Sequence, residues 1–375
     1  MSLLSVPLTD LRARQSLKWR IYPEDVLPLW VAEMDVQMHP AVLAAVTEAL
    51  AGGDTGYPHG NGYAEAFVAM AQQRWGWTLS ATRVRRAGDV MNSIQAVLEA
   101  VTSPGDAVVI TPPVYPPFRQ VVSGYGRRVV EAPLGTDGRL DLAAVEAAFT
   151  DAHPPKAFLL CSPHNPTGVV HSAAELTGLM GLAAEHDIQV VADEIHAALV
   201  DAGTDFVPIQ SVPGGERAIT VTSAGKAWNL AGFKAGLIVA GEQVRKLFAA
   251  LPPFALHSAG HLANLAHTAA LLHAQSWVDE LMVEIGANRE LLAAELAAKL
   301  PAARYQPQPG TYLAWVDCTA LGLDDPAARF LETGRVAFSP GAGFGAKHSQ
   351  WVRINLACAP AVVSEAVDRM VAAAV

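Results

Sequence analysis

Lys226 is the side chain with the greatest potential for covalent chemistry, because it lies in a run of small and apolar residues at positions 222–232. Burial among such neighbours removes water from an ammonium group and favours its neutral form. The neutral amine can then attack a carbonyl carbon. A surface lysine whose aliphatic chain lies over apolar neighbours fits the same segment, so the segment alone leaves both interpretations open.

Asp193 follows a short apolar run, 188–192, that is typical of a buried β-strand. A carboxylate at the end of such a strand needs a partner, because an unpaired buried charge is costly. The protonated nitrogen of a bound pyridine ring is one candidate for this partner. A helix cap is the alternative, and this segment alone does not decide between the two.

Two further polar segments also come directly after or before regular elements. Segment 162–168, Ser-Pro-His-Asn-Pro-Thr-Gly, is a rigid turn that presents the amide of Asn165, although this composition is also ordinary turn chemistry. Near residue 88 a glycine opens a helix, and the free N–H groups at Val90 and Met91 could bind a phosphate. Most helix starts bind no ligand, and the charge of Asp89 would oppose a phosphate if it pointed inward.

The bulk composition limits the class of protein that can carry these segments. The chain has 375 residues, 51% of them hydrophobic and 17% charged, which favours two domains with sizeable cores. The net charge of −10 argues against nucleic acid or an anionic membrane as the main partner. No apolar stretch approaches the ~20 residues of a membrane span, and the first twenty or so residues do not resemble a signal peptide. Three scattered cysteines favour a reducing cytoplasm.

Short β-branched runs alternate with helical patterns, which predicts a largely parallel sheet covered by helices on both faces. The predicted strands are 107–111, 127–132, 156–161, 188–192, 218–222 and 236–240. The predicted helices are 41–50, 64–75, 90–101, 142–149 and 173–185. Ligands of such sheets bind beyond the carboxyl ends of the strands, so polar segments that follow the strands are candidate binding sites.

The pattern changes after about residue 265. Ala/Leu-rich helical stretches at 266–273 and 276–300 come before two predicted strands at 311–316 and 351–356. We predict three parts: an extended arm that also belongs to the small domain (1–40), a large ligand-binding domain (41–270) and a small C-terminal α+β domain (271–375).

Taken together, the four polar segments resemble the fold-type I enzymes that use pyridoxal 5′-phosphate (PLP). Asp193, a lysine after the next strand, and Lys234 eight positions later follow the pattern of that superfamily. The resemblance covers nearly the whole chain. It implies PLP as the cofactor and an α/β fold, in which a mostly parallel, mixed seven-stranded sheet is sandwiched by helices and a smaller α+β domain follows.

The resemblance also implies a role for each site residue. Lys226 would form the Schiff base and later move the substrate's Cα proton, while Asp193 would pair with the pyridine nitrogen. The other cofactor contacts would come from Asn165 at the phenolic oxygen, Tyr115 on the ring face, His196, and a phosphate site made by Val90, Met91, Ser223 and Lys234. Arg353 would bind the substrate α-carboxylate, with Trp30 beside the substrate. Without the resemblance, Tyr115 would fit the role of a core aromatic. Arg353 would fit that of a strand arginine in a surface ion pair.

Tyr57 is implied to act outside its own subunit. By the resemblance it would reach the phosphate and substrate of a neighbouring copy, which implies a homodimer with shared active sites.

His196 points to a subgroup of the superfamily. Generic aminotransferases usually carry a tyrosine at this place, three residues after the ring-pairing aspartate. Together with segments 27–35, 112–118, 163–166 and 310–315, His196 resembles the MalY/PatB-type cystathionine β-lyases, also called C–S lyases. Two positions differ from that pattern: Gly225, where relatives usually have serine, and Pro360, where many have arginine.

This second resemblance implies α,β-elimination on L-cystathionine or another cysteine S-conjugate, giving pyruvate, ammonia and a thiol. An aminotransferase is the first alternative, and a regulatory binding protein that retains the PLP fold is the second. We expect a small amino-acid substrate and neither nucleic acid, membrane nor metal as a partner. His257 and His261 have the spacing of a helical metal pair, but no acidic ligand follows at a suitable step and their neighbours favour packing.

Overall fold

The computed structural model describes residues 2–374, so that Met1 and Val375, the end residues of the predicted arm and small domain, lie outside the described residues. The helices are α1 Leu8–Arg12, α2 Leu17–Arg20, α3 Pro40–Ala51, α4 Gly62–Trp75, α5 Val90–Val101, α6 Pro116–Gly124, α7 Leu142–Phe149, α8 Ala173–Glu185, α9 Leu247–Ala250, α10 Pro253–Leu256, α11 His261–His273, α12 Gln275–Lys299, α13 Pro326–Glu332 and α14 Pro360–Ala374. The strands are β1 Leu27–Pro28, β2 Val84–Ala87, β3 Ala107–Ile110, β4 Arg128–Glu131, β5 Ala157–Cys161, β6 Gln189–Asp193, β7 Ile219–Thr222, β8 Gly236–Ala240, β9 Arg304–Tyr305, β10 Leu313–Asp317, β11 Val336–Ala337, β12 Ser339–Pro340 and β13 Trp351–Asn355.

Seven of these strands form one large sheet in the order β2-β8-β7-β6-β5-β3-β4. β8 runs antiparallel to both of its neighbours, and the remaining strand pairs are parallel. Strands β3, β5, β7 and β8 are buried along their whole length, as expected for a sheet covered on both faces. The sheet confirms the predicted fold class.

The alternation of apolar side chains along the strands determines which helices cover each face. Val108, Ile110 and Leu159 pack with apolar residues of α5 and α6, whereas Val109 and Phe158 pack with apolar residues of α7 and α8 on the other face. Adjacent strand residues point to opposite faces, so each strand contributes to both cores. The helices α4 and α11 belong to a third apolar cluster, beside β8.

Local signals in the sequence determine where the helices begin. The side chain of Asp89 caps α5 by accepting a hydrogen bond from the amide of Asn92. Ser172 and Glu175 form a reciprocal capping box at the start of α8. The cap on α5 matters most for the candidate site, because it determines which N–H groups at that helix end remain free.

A second sheet, β12-β13-β10-β9, is antiparallel and packs with α12 and α14. Strand β1 of the arm pairs in parallel with β11, and Leu27 and Leu29 are buried in the core of this region. The arm is not simply extended as predicted, because α1 and α2 form within it. Trp19 of α2 gains burial against Leu11 of α1, which favours local helical turns there. The exact domain limits, 1–40, 41–270 and 271–375, stay a prediction.

Candidate active site

A cavity of about 200 Å³ lies where β5, β6 and β7 end and α5 begins. All but two of the predicted site residues line it: Lys226, Asp193, Asn165, Tyr115, Val90, Met91, Ser223, Lys234, His196 and Arg353. The strand order brings them together, because β5, β6 and β7 are adjacent and parallel and their carboxyl ends share one edge. Trp30 and Tyr57 are not among the lining residues.

The amine of Lys226 lies inside the cavity, on the loop between β7 and β8. Its Nζ donates a hydrogen bond to the carbonyl oxygen of Ala32, at 2.8 Å, and the hydroxyl of Tyr312 donates to the same oxygen at 3.1 Å. Burial, together with the positive charge of Arg353, lowers the pKa of Lys226 to about 8. Both effects favour the neutral, nucleophilic amine.

Asp193 is the last residue of β6, and its side chain is buried. One carboxylate oxygen accepts a hydrogen bond from the amide of Ile195, at 3.1 Å. Burial raises the pKa of Asp193 to about 7, and the nearby charge of Lys226 opposes this rise. Within residues 2–374 no cationic side chain forms an ion pair with Asp193, so a cationic ligand group would stabilise its ionised form.

Arg353 presents the opposite case, a buried cation without an acidic partner among the described residues. Its Nη1 donates to Oδ1 of Asn165 at 3.0 Å, and its Nη2 donates to the carbonyl of Trp30 at 2.9 Å and to the hydroxyl of Ser339 at 3.0 Å. Its Nε is buried and has no hydrogen-bond partner within residues 2–374. Burial lowers the pKa of Arg353 to about 10. The guanidinium is therefore held in place and still able to bind an anion.

The rim of the cavity, where the phosphate site is predicted, is more exposed. Lys234 forms an ion pair with Asp89 at 3.2 Å, although the lysine side chain is 67% exposed. The remaining oxygen of Asp89 caps α5, so this acid occupies part of the helix N-terminus. The hydroxyl of Ser223 donates to the carbonyl of Ala235 at 2.6 Å, within its own loop.

The other predicted residues differ in how they are held. His196 is buried with its Nδ1 unpartnered, and burial lowers its pKa to about 3, which keeps the ring neutral. Tyr115 packs edge-on against Phe118 of α6 while also facing the cavity. Trp30 contributes its backbone carbonyl to Arg353. Tyr57 is 99% exposed and faces away from the interior of its own chain.

Several residues that position the site were not singled out from the sequence. Asn229 donates to and accepts from the backbone of Met34, which ties the Lys226 loop to the arm. The hydroxyl of Tyr312 donates to the Ala32 carbonyl that also accepts from Lys226. The hydroxyl of Ser339 accepts a hydrogen bond from Arg353. Tyr312 lies within segment 310–315 and Asn229 lies within segment 222–232, and both segments were singled out, whereas Ser339 had no signal in the sequence.

Of the two histidines considered for metal binding, His261 has an acidic partner outside the pair. His261 pairs through Nε2 with Asp54 at 2.9 Å at the surface. No group of three potential metal ligands occurs among residues 2–374.

The chain matches a protein-family model over nearly its whole length. Positions 24–370 match the family model described as aminotransferase class I and II. The chain belongs to this family. Since the match starts in the arm and ends in α14, family membership extends over both sheets and over the whole cavity.

Relatives within the family cover nearly the full chain. A protein of Mycobacterium leprae named "Putative cystathionine beta-lyase" is 46% identical, over 97% of this chain and 96% of its own. The cystathionine beta-lyase PatB of Bacillus subtilis is 33% identical, over 96% of each chain. A crystal structure of a "putative plp-dependent beta-cystathionase" from Corynebacterium diphtheriae superposes with a TM-score of 0.93 at 32% identity, over 98% of each chain.

No helix within the described part of the chain is both long and apolar enough to cross a membrane.

Proposed function

We propose that the chain is a PLP-dependent carbon–sulfur β-lyase, which acts on L-cystathionine or a related cysteine S-conjugate and releases pyruvate, ammonia and a thiol. One observation carries the proposal: a buried lysine amine, a buried carboxylate and a buried guanidinium line the same cavity, and within residues 2–374 neither the carboxylate nor the guanidinium has an ion-pair partner. Relatives named cystathionine beta-lyase that match over almost the whole chain support it.

The charges of the cavity fit PLP and an amino-acid substrate. Asp193 lacks a cationic side-chain partner within residues 2–374, and a protonated pyridine nitrogen would supply one. Oδ1 of Asn165 is already bonded to Arg353, which leaves the amide N–H₂ as the group that can donate to the phenolic oxygen. The residues proposed to hold the phosphate are Val90, Met91, Ser223 and Lys234, with Tyr115 on the ring face and His196 beside it.

We propose the following roles in the reaction. When bound, the cofactor supplies an electron sink for the negative charge that develops at the substrate Cα. Arg353 binds the substrate α-carboxylate through its fixed guanidinium, which orients the Cα–H bond. Lys226, as the neutral amine, removes the Cα proton. Asp193 keeps a proton on the pyridine nitrogen, and Trp30 helps to hold Arg353 through its carbonyl.

Elimination follows from Cα deprotonation when a good leaving group is bonded to Cβ. A thiolate meets this condition, so cysteine S-conjugates favour elimination over amino-group transfer. Lys226 would also be able to return the proton to C4′ of the cofactor instead, so some transamination is expected as a side reaction.

We further propose a homodimer in which Tyr57 completes the site of the neighbouring copy. Its 99% exposure on its own chain supports this, because a fully exposed tyrosine ring is available for an intermolecular contact. Cys161, Cys318 and Cys358 are buried free thiols, which supports a cytoplasmic location.

The test is to incubate the purified holoprotein with L-cystathionine in the absence of any 2-oxo acid and to measure pyruvate and free thiol. Release of both supports the lyase. Amino-group transfer that depends on an added oxo acid would instead identify an aminotransferase, and PLP binding without turnover would favour a regulatory binder. The variant His196→Tyr serves as a second test, since the ratio of elimination to transamination should fall.

A further inference from the structure

A buried chain of hydrogen bonds lies beneath the loop that carries Lys226. The amide of Ala224 donates to the hydroxyl oxygen of Tyr63 at 3.1 Å, and that oxygen lies 3.0 Å from Nδ1 of His267. Nε2 of His267 lies 2.8 Å from the carbonyl oxygen of Phe233. Tyr63 is 2% exposed and His267 is 0% exposed, so water does not compete for these bonds.

The direction of each bond is determined by the groups at the two ends. A carbonyl oxygen only accepts, so Nε2 of His267 must carry the proton that bonds to Phe233. Burial lowers the pKa of His267 to about 4, so the ring is neutral and Nδ1 accepts. The Tyr63 hydroxyl therefore donates to His267 while it accepts from Ala224, and one arrangement of protons satisfies every group.

The two ends of this hydrogen-bond chain lie next to the two lysines of the cavity, Lys226 and Lys234. Ala224 precedes Lys226 by two positions, and Phe233 directly precedes Lys234. Tyr63 lies on α4 and His267 on α11, so two helices outside the loop hold both of its ends. Gly225 contributes no side chain that could hold the loop in place.

The packing of α4 against α11 does not require this pair. Both helices already share an apolar cluster that includes Phe67, Ala266 and Ala270. A phenol and an imidazole buried in such a cluster are tolerated only when they are fully hydrogen-bonded. The polar pair therefore contributes something other than apolar packing.

We propose that Tyr63 and His267 act as one positioning unit, which fixes the backbone of residues 223–234 so that Lys226 and Lys234 stand ready to bind the two ends of one cofactor molecule. Neither residue touches the reacting atoms. The inference rests on the proposed cofactor, and it adds a structural reason for the order of the Lys226 loop.

The test uses the holoprotein and the variants Tyr63→Phe, His267→Leu and the double variant. His267→Gln is the rescue variant, because a side-chain amide also offers one donor and one acceptor. Tyr305→Phe and His186→Leu are matched controls, which remove a hydroxyl and an imidazole elsewhere. The measurements are amide hydrogen exchange of residues 223–234, the dissociation constant of PLP and the thermal unfolding temperature.

We expect each single variant to speed exchange in this loop and to weaken PLP binding by about tenfold, the effect of one lost buried hydrogen bond. The double variant should lose little more than either single variant, because members of one unit are not additive. His267→Gln and both controls should resemble the parent protein.

In variants that fold, any one of three results would overturn the inference. Exchange in the loop could be unchanged, the two single losses could multiply in the double variant, or exchange could rise equally in the loop and in strands β3 and β5. Failure of both Tyr63→Phe and His267→Leu to fold would overturn it too, since the pair would then serve the core. Hydrogen exchange needs no substrate, so a protein that fails the cystathionine test can still pass this one.

Discussion

The buried end of the cavity and its exposed rim are built on different principles. At the buried end, Lys226, Asp193 and Arg353 are held by hydrogen bonds from within the same chain, and burial shifts the pKa of each. At the rim, Lys234 is 67% exposed. Tyr57, which does not line the cavity of its own chain and is proposed to reach that of a neighbouring copy, is 99% exposed. The groups at the buried end are thus tuned within one chain, whereas the rim is where we propose that a phosphate and a second copy bind.

The two regions should therefore respond differently to substitution. Removing a buried charged group leaves its former partners unpaired in a region that excludes water, which is energetically costly. Removing an exposed charge affects a solvated interaction that salt already weakens. Four predictions test this contrast, in order of decreasing expected effect.

The variant Lys226→Ala should lower the rate of elimination by about three orders of magnitude, because a positioned acid or base contributes roughly 10²–10⁴-fold. The measurement is pyruvate release from L-cystathionine by PLP-saturated protein. The surface variant Lys299→Ala is the control and should retain full activity. A loss of less than about tenfold in Lys226→Ala would contradict its role.

The variant Arg353→Gln should lower kcat/KM by about a hundredfold, mostly through KM, because charged hydrogen bonds to the carboxylate contribute about 1.5–3 kcal/mol. Arg353→Lys should lie between the parent and Arg353→Gln, since lysine keeps the charge and loses the two-pronged geometry. Steady-state kinetics with L-cystathionine check both. An unchanged KM in Arg353→Gln would remove Arg353 from the substrate site.

The rate at which the cofactor-free protein takes up PLP should rise with pH around a midpoint near 8, the pKa to which burial lowers Lys226. The sign follows from the attacking species, since only the neutral amine reacts and its fraction grows as pH rises. Arg353→Gln removes a positive charge that disfavours the ammonium, so the midpoint should move upward. Lys234→Gln should move it upward by less, because its charge ranks below that of Arg353 among the causes. A midpoint near the ordinary lysine value of 10.5 would contradict the buried environment.

The smallest effect is expected at the rim. Lys234→Ala and Tyr57→Phe should each weaken PLP binding by about fivefold or less, which corresponds to an exposed charge or hydrogen bond. The loss in Lys234→Ala should shrink further as salt is added. Equilibrium dialysis at two ionic strengths measures both. A hundredfold loss that does not depend on salt would erase the contrast between the rim and the buried end.

Regular elements with a clear apolar pattern were predictable from the sequence. The helices 142–149 and 173–185 and the strand 236–240 were predicted with the bounds that the structure has. β2 was missed because its sequence, Val-Arg-Arg-Ala, has two charges at its centre. These arginines are tolerated because β2 is an edge strand, paired only with β8. α14 was also missed, since we assigned nothing beyond the last strand.

The candidate site likewise contains residues that could be located from the sequence and residues that could not. Polar residues that directly follow buried strands, such as Asp193 and Asn165, could be located because parallel strands bring their ends to one edge. Tyr63 and His267 could not, because they are 204 positions apart and each looks like an ordinary residue of an apolar helix. The carbonyl of Ala32, which holds Lys226 across 194 positions, has no side-chain signal at all.

The sequence alone indicated the candidate reactive side chains and the strands that carry them, because strand and helix patterns are local and the order of the polar segments resembles that of the family. The protonation and hydrogen bonding of those side chains depend on how distant segments pack in three dimensions. Desolvation, and the proximity of Arg353 to Lys226, arise when distant segments pack together. Burial and nearby charges shift a pKa and determine where a proton lies. Both arise from contacts between residues that are far apart in the sequence.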